Sequence, residues 1–196
     1  TRYRPPSEFQ SSEYIVRNDT GVFEGGEISM YYDPMIAKLC TWAPTRSEAI
    51  AHMRKALDGF EVEGIGHNLP FLSAVMDHPR FIKGDITTAF IEEEYPEGFI
   101  GVELPESELL RIAASCAAMN RVAEIRRTKI SGRMDNHERR VGDNWVVTLQ
   151  NNKYELNIVA DQLGSTVRFE DGLRIRVEGS WTPGDQLANM LVDDTR

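Results

Sequence analysis

The 196-residue chain is 41% hydrophobic, enough to bury one large core or two small ones. Its 31 acidic residues outnumber its 22 basic ones for a net charge of −9, which argues against a nucleic-acid partner because no basic stripe offsets phosphate repulsion. No apolar run approaches the length that crosses a bilayer, and Cys40 and Cys116 lack zinc-site or disulfide spacing, so no membrane partner and a reducing compartment are expected.

The opening Thr1-Arg2-Tyr3-Arg4-Pro5-Pro6 is polar and unlike a secretory signal, and without an initiator Met the chain is expected to start inside a longer protein. Tyr14–Val22 and Glu27–Trp42 are rich in Val, Ile, Tyr and Leu and flank Glu24-Gly25-Gly26, the pattern of a hairpin. Thr45 and Glu48 form a capping box for a helix over Thr45–Phe60, whose Ala49, Ile50, Met53, Ala56, Leu57 and Phe60 define one buried face. Phe60–Gly64 reads as a short strand. Asn68 is placed to cap a helix over Leu69–Met76, with Pro70 tolerated in its first turn. A third helix runs from about Thr87 to Glu94 and stops at Tyr95-Pro96.

Pro105–Arg127 predicts a longer helix, with Glu106 and Glu108 in its first turn and Arg126 and Arg127 in its last, matching the helix dipole. Its centre, Ile112–Met119, is apolar or small on nearly every side, so this helix should be surrounded and Cys116 should be a small buried hydrophobe. Ser131–Gly142 is polar and weakly periodic. Strands then follow at Trp145–Gln150, Lys153–Ala160, Thr166–Phe169, Leu173–Gly179 and Gln186–Val192, separated by Asn-Asn, Gly-Ser, Asp-Gly and Pro-Gly turns. The expected fold class is α+β: a small α/β unit over 1–98, then over 99–196 a long helix wrapped by an antiparallel barrel or curved sheet. Five strands are too few to close around a helix, so the barrel should be incomplete.

The string Val16-Arg17-Asn18-Asp19-Thr20-Gly21-Val22, followed by Tyr31-Tyr32-Asp33-Pro34-Met35-Ile36-Ala37-Lys38, resembles the C-terminal subdomain of biotin carboxylases. Gly64-Ile65-Gly66-His67-Asn68-Leu69-Pro70 and Phe81-Ile82-Lys83-Gly84-Asp85 extend the likeness in the family's order and spacing. From about Phe99 the chain is similar to the biotin transfer (BT) domain of biotin-dependent acyl-CoA carboxylases, and Trp145–Leu149 with Trp181–Leu187 fit the propionyl-CoA carboxylase branch best. The resemblance implies the biotin-containing alpha subunit of a ligase. Such an enzyme carboxylates biotin with bicarbonate and ATP, using Mg or Mn, and passes the carboxyl group to an acyl-CoA on a carboxyltransferase beta subunit. A methylcrotonyl-CoA or pyruvate carboxylase, or a non-catalytic docking scaffold, are the alternatives. The family's ATP-grasp region and its biotinylated Lys between two Met residues are not found in this sequence, so the piece alone should be inactive. The setting implied is cytoplasmic, or the mitochondrial matrix in a eukaryote.

The resemblance also implies that Arg17 is catalytic, binding bicarbonate and the biotin ureido oxygen, where a permanently charged guanidinium would stabilise developing negative charge. Read from the residues alone, an Arg on a strand beside Asp19 is a surface ion pair. Asp33 and Lys38 read as structural, because Asp-Pro favours a turn. Gly25-Gly26 reads as a turn and not a phosphate loop, since neither a helix N-terminus nor a Lys follows it. His52, His67, His78 and His137 lack metal-site spacing. Ser131–Gly142, with Arg133, His137, Glu138, Arg139 and Arg140, takes the place of the family's hook, implying contact with the carboxyltransferase beta subunit; the biotin carrier domain of the same subunit is the second implied partner.

Overall fold

A computed structural model describes residues 2–27, 31, 33, 35–131, 139–185 and 187–193. The chain divides into two compact units, Thr1–Val102 and Glu103–Arg196.

The first unit begins with β1 (Arg2–Arg4), β2 (Phe9–Gln10), β3 (Ile15–Thr20) and β4 (Ala37–Trp42), followed by helix α1 (Arg46–Asp58) and β5 (Glu61–Glu63). Its helices α2 (Leu69–Asp77), α3 (Pro79–Lys83) and α4 (Phe90–Glu94) complete it. Strands β2, β3 and β4 form one antiparallel sheet, and β1 pairs with β5 in a second. The expected pairing of the first two long strands is present, with Ile15 opposite Trp42 and Thr20 opposite Ala37. However, the second strand starts at Ala37 and not at Glu27. The Asp33 carboxylate accepts the Met35 N–H at 2.9 Å, and this side-chain turn bends the chain where an extended strand was expected.

Helix α1 has the capping box anticipated for it, with Thr45 accepting from the Glu48 N–H and Glu48 accepting from the Thr45 N–H. Its face of Ile50, Ala56 and Leu57 is buried, in a core that also contains Tyr3, Val16, Val75 and Phe90. Three expectations fail here. Asn68 makes no side-chain cap to α2. The third expected helix starts only at Phe90, and α3 is an additional helix capped by the His78 Nδ1, which accepts from the Arg80 N–H.

The second unit consists of α5 (Glu106–Thr128) and a meander of β6 (Asn144–Leu149), β7 (Asn152–Ala160), β8 (Gly164–Phe169), β9 (Arg174–Gly179) and β10 (Met190–Val192). Alternation puts Leu156 opposite Phe169, Ile158 opposite Val167, and Val167 opposite Ile175. All of these face α5, whose Leu109, Ala113, Ala114, Ala117 and Ala118 complete the core. Alanine at those positions lets the helix lie close to the strands, and α5 packs against all five of them.

The sheet runs in the order β10-β9-β8-β7-β6 and, among the described residues, is not closed into a barrel. It covers one side of α5, so the helix is not surrounded: Ile112 and Val122 are exposed, and so is Cys116, contrary to its expected burial. Gly164 and Ser165 lie inside β8 and not in a turn; the turn before them is built by Asp161, whose carboxylate accepts from the Leu163 and Gly164 N–H groups. Gly172 and Gly184 take left-handed φ of 89° and 114° in the expected Asp-Gly and Pro-Gly turns. The last strand is shorter than expected, and Gln186 lies outside the described residues.

Candidate functional site

Alternation along β3 puts Ile15, Arg17 and Asp19 on one face and Val16, Asn18 and Thr20 on the other. The second face is covered: Val16 is buried, and on the neighbouring strand the Thr41 hydroxyl donates to the Ala49 carbonyl of α1 at 2.9 Å. Arg17 therefore lies on the open face, opposite Cys40 and two pairs along from Asp19–Lys38. Its side chain is 61% exposed, and Trp42 on the same face is 49% exposed.

The guanidinium is already engaged. Arg17 Nε donates to Asp19 Oδ1 at 2.9 Å and Nη2 to Asp19 Oδ2 at 3.1 Å, a two-point pair within one strand. The hydrogen bond that Arg17 donates to Asp19, and then the Asp19 charge, raise the Arg17 pKa. Arg17 is thus a fixed positive group with its partner attached.

The other candidates separate. Asp33 holds its turn and Gly25 takes φ 83° in a turn closed by the Gly26 N–H on the Phe23 carbonyl at 2.9 Å. His52 stacks on Tyr14 with ring centres 3.9 Å apart, and His78 Nε2 lies 3.1 Å from Glu94 Oε2. His67 lines a mainly apolar cavity of about 630 Å³ with Leu39, Met53, Leu57, Phe60 and Met76. His137 lies outside the described residues. Among the described residues no group of three His, Cys, Asp or Glu side chains could hold a metal ion.

A second cluster is only partly visible in the sequence. Glu124 of α5 is buried, and its carboxylate accepts from Arg127 on the next turn and from Arg139 on the far side of the 131–142 segment. One turn earlier, Arg121 Nη2 reaches Asp143 Oδ1 at 3.4 Å. The Glu124–Arg127 pair is legible as a helical i,i+3 spacing, but nothing local foretells Arg139. Residues 132–138 of the expected hook lie outside the described residues.

Residues 1–93 match the family model of the biotin carboxylase C-terminal domain, and residues 112–196 match that of the propionyl-coenzyme A carboxylase BT domain. The two halves of the chain thus match these two domain models in succession. The propionyl-CoA carboxylase alpha chain of Ruegeria pomeroyi is 69% identical over 98% of this chain and 30% of its own length. The mitochondrial propionyl-CoA carboxylase alpha chain of Rattus norvegicus is 33% identical over 97% of this chain and 26% of its own. The chain therefore spans less than a third of the length of these relatives. The solved biotin carboxylase domain of Hydrogenobacter thermophilus 2-oxoglutarate carboxylase, in complex with MgADP, ADP and bicarbonate, is 36% identical over 52% of this chain and 21% of that one, with a TM-score of 0.45. Arg17 thus lies in the part matched by the biotin carboxylase C-terminal model, and Glu124 and Arg139 in the part matched by the BT model. No described helix is long and apolar enough to cross a membrane.

Proposed function

We propose that this chain is a section of a propionyl-CoA carboxylase alpha subunit. In this reading residues 1–98 complete the biotin carboxylase part and residues 99–196 dock the carboxyltransferase beta subunit. The observation that supports it best is the succession of the two domain families in one chain, with 69% identity to a propionyl-CoA carboxylase alpha chain. ATP and Mg or Mn would be held by the remainder of the subunit, and biotin by its carrier domain; bound there, ATP supplies the activation that lets bicarbonate carboxylate biotin. The compartment is the cytoplasm, or the mitochondrial matrix in a eukaryote. The test is the full-length alpha subunit mixed with its carboxyltransferase partner: propionyl-CoA should be carboxylated in preference to methylcrotonyl-CoA and pyruvate, and a reversed preference would sink the reading.

For Arg17 the proposal is the catalytic role that its family resemblance implies, binding bicarbonate and the biotin ureido oxygen. Asp19 engages Nε and Nη2, which leaves further guanidinium donors on the open sheet face for a developing oxyanion. Arg17→Ala in the full-length subunit should sharply lower biotin carboxylation with the fold retained. Wild-type carboxylation in that variant would reduce Arg17 to a surface ion pair with Asp19.

For residues 131–142 the proposal is contact with the carboxyltransferase subunit. Deleting Ser131–Gly142 should abolish co-purification of the two subunits while ATP-dependent carboxylation of biotin persists; unchanged co-purification would reduce the segment to a surface loop.

A further inference from the structure

The charge on Glu124 is placed where it needs a reason. Among the described residues it is the one charged side chain that counts as buried, only 11% exposed, on a helix whose neighbouring contacts are alanines and aliphatic strands. Burying a carboxylate is costly unless cations and donors compensate it, and two guanidiniums do so: Arg127 on one oxygen and Arg139 on the other. An apolar residue would fill the same space without that requirement. What the carboxylate adds is a fixed link between α5 and a point fifteen residues further along the chain.

The link does not stand alone. Arg121, one turn earlier, reaches Asp143, whose carbonyl accepts the Ile158 N–H of β7 at 2.8 Å. The Gly142 carbonyl accepts the Trp145 indole N–H at 3.0 Å. On the outgoing side, Arg126 donates to the Pro183 carbonyl at 3.0 Å, and the Lys129 N–H closes onto the Arg126 carbonyl at 3.1 Å. Chain leaving α5 at 126–131 and chain returning at 139–143 are therefore both fastened to the helix end.

The described chain so fastened is predominantly basic. Residues 126–131 and 139–143 contain Arg126, Arg127, Lys129, Arg139 and Arg140 against one acidic residue, Asp143, which Arg121 pairs, in a chain whose net charge is −9. All five of these are exposed, and among them Ile130 is 63% exposed. A basic patch with one protruding aliphatic side chain fits an acidic surface with an apolar notch.

We infer that Glu124 is a positioning residue for subunit docking: by clasping Arg139 it pre-forms the basic patch around Ile130, which then meets an acidic face of the carboxyltransferase subunit. The inference rests on the proposal that segment 131–142 docks that subunit. Glu124 itself makes no contact with the partner in this account. Its effect is on the population of the binding-competent form, and an affinity falls in proportion to that population.

The experiment measures the affinity of full-length alpha subunit for the carboxyltransferase subunit, with ATP-dependent biotin carboxylation as a separate readout. Arg139→Gln and Arg140→Gln each remove one exposed positive charge, but only the first breaks the clasp. Arg139→Gln should weaken association by about tenfold, clearly more than Arg140→Gln, with carboxylation unchanged. Glu124→Gln should weaken it similarly, and the double variant with Arg139→Gln should be no worse than either single change, because both remove one interaction. Wild-type association should weaken as salt is raised. Equal losses in Arg139→Gln and Arg140→Gln, or additive losses in the double variant, would overturn the clasp. Salt-independent association would overturn the acidic partner face. If the deletion of 131–142 still abolishes association while Arg139→Gln binds normally, docking stands and the clasp falls; if the deletion also binds normally, the docking proposal itself has failed.

Discussion

Gln150 and Asn151 join β6 to β7 with φ of 47° and 68°, both left-handed and neither a glycine. Two consecutive positive φ values make the mirror-image turn that matches the twist of a two-residue hairpin, and it favours Asn followed by Gly. The Gln at the first position is held there by the pairing of Leu149 with Asn152. The double substitution Gln150→Asn with Asn151→Gly should raise stability by roughly 1 kcal/mol in chemical denaturation, and a loss of stability would contradict the assigned turn. Asp161 makes a different demand. Arg176 donates to both its carboxylate oxygens, at 2.6 and 2.9 Å, and together with the Leu163 and Gly164 N–H groups it holds the Asp161 carboxyl well below the usual carboxylate range. A carboxyl depressed in the folded state adds stability above its unfolded value, about 3.9, and that contribution drains away as pH falls toward the folded value. Asp161→Asn should thus lower stability at neutral pH and flatten the acid limb of the stability profile. An Asp161 carboxyl signal that titrates in NMR at the ordinary carboxylate pH would show that the pairing is not made in solution.

Elements whose signals lie within four residues were legible: the Thr45–Glu48 box and the Pro105-Glu106 start place α1 and α5 within a residue or two of their sequence bounds. Alternation likewise exposed the meander, because one face of every strand meets α5. What was not legible depended on distant partners. Arg2–Arg4 is a strand only because Glu61–Glu63, far away in sequence, pairs with it, and its polar composition gives no strand signal. The all-round apolar character of Ile112–Met119 pointed to a helix enclosed on every side, yet its exposed Ile112 and Cys116 face away from a sheet that covers only one side. At the candidate site, Arg17 beside Asp19 was visible as two residues sharing a strand face, while the Glu124–Arg139 clasp joins side chains with no periodic relation. Gly164 carries a related lesson. Its neighbour Ser165 made it look like a turn, but a Cβ there would run into the Val177 carbonyl oxygen and lie 3.1 Å from Glu178 Cα. Gly164→Ala should force β8 from β9 and destabilise the unit by about 1–3 kcal/mol; a near-neutral effect in denaturation would mean that the two strands separate without cost.

At the scale of the chain, each unit has a core of its own: Val16, Ile50, Leu57, Val75 and Phe90 in Thr1–Val102, and Leu109, Ala113, Ile158, Val167 and Ile175 in Glu103–Arg196. The two differ in how they are built. The first sets short helices against small sheets; the second hangs five strands on one helix, and Ile158 and Val167, paired across β7 and β8 at 0% exposure, sit at the middle of it. Truncating Ile158 removes buried methyls at a point that rigid neighbours cannot collapse into, with a cost of about 2–5 kcal/mol for Ile158→Ala. Because that cost falls on contacts with α5 and the meander, amide exchange should accelerate through β6–β9 and α5, whereas amides of α1, packed on β4 and α2, should keep their wild-type protection. Acceleration of both sets by the same factor would mean that the chain unfolds as one cooperative body. In that event substitutions at the Glu124–Arg139 clasp would need their effect on docking separated from an effect on the biotin carboxylase half, which the carboxylation readout supplies.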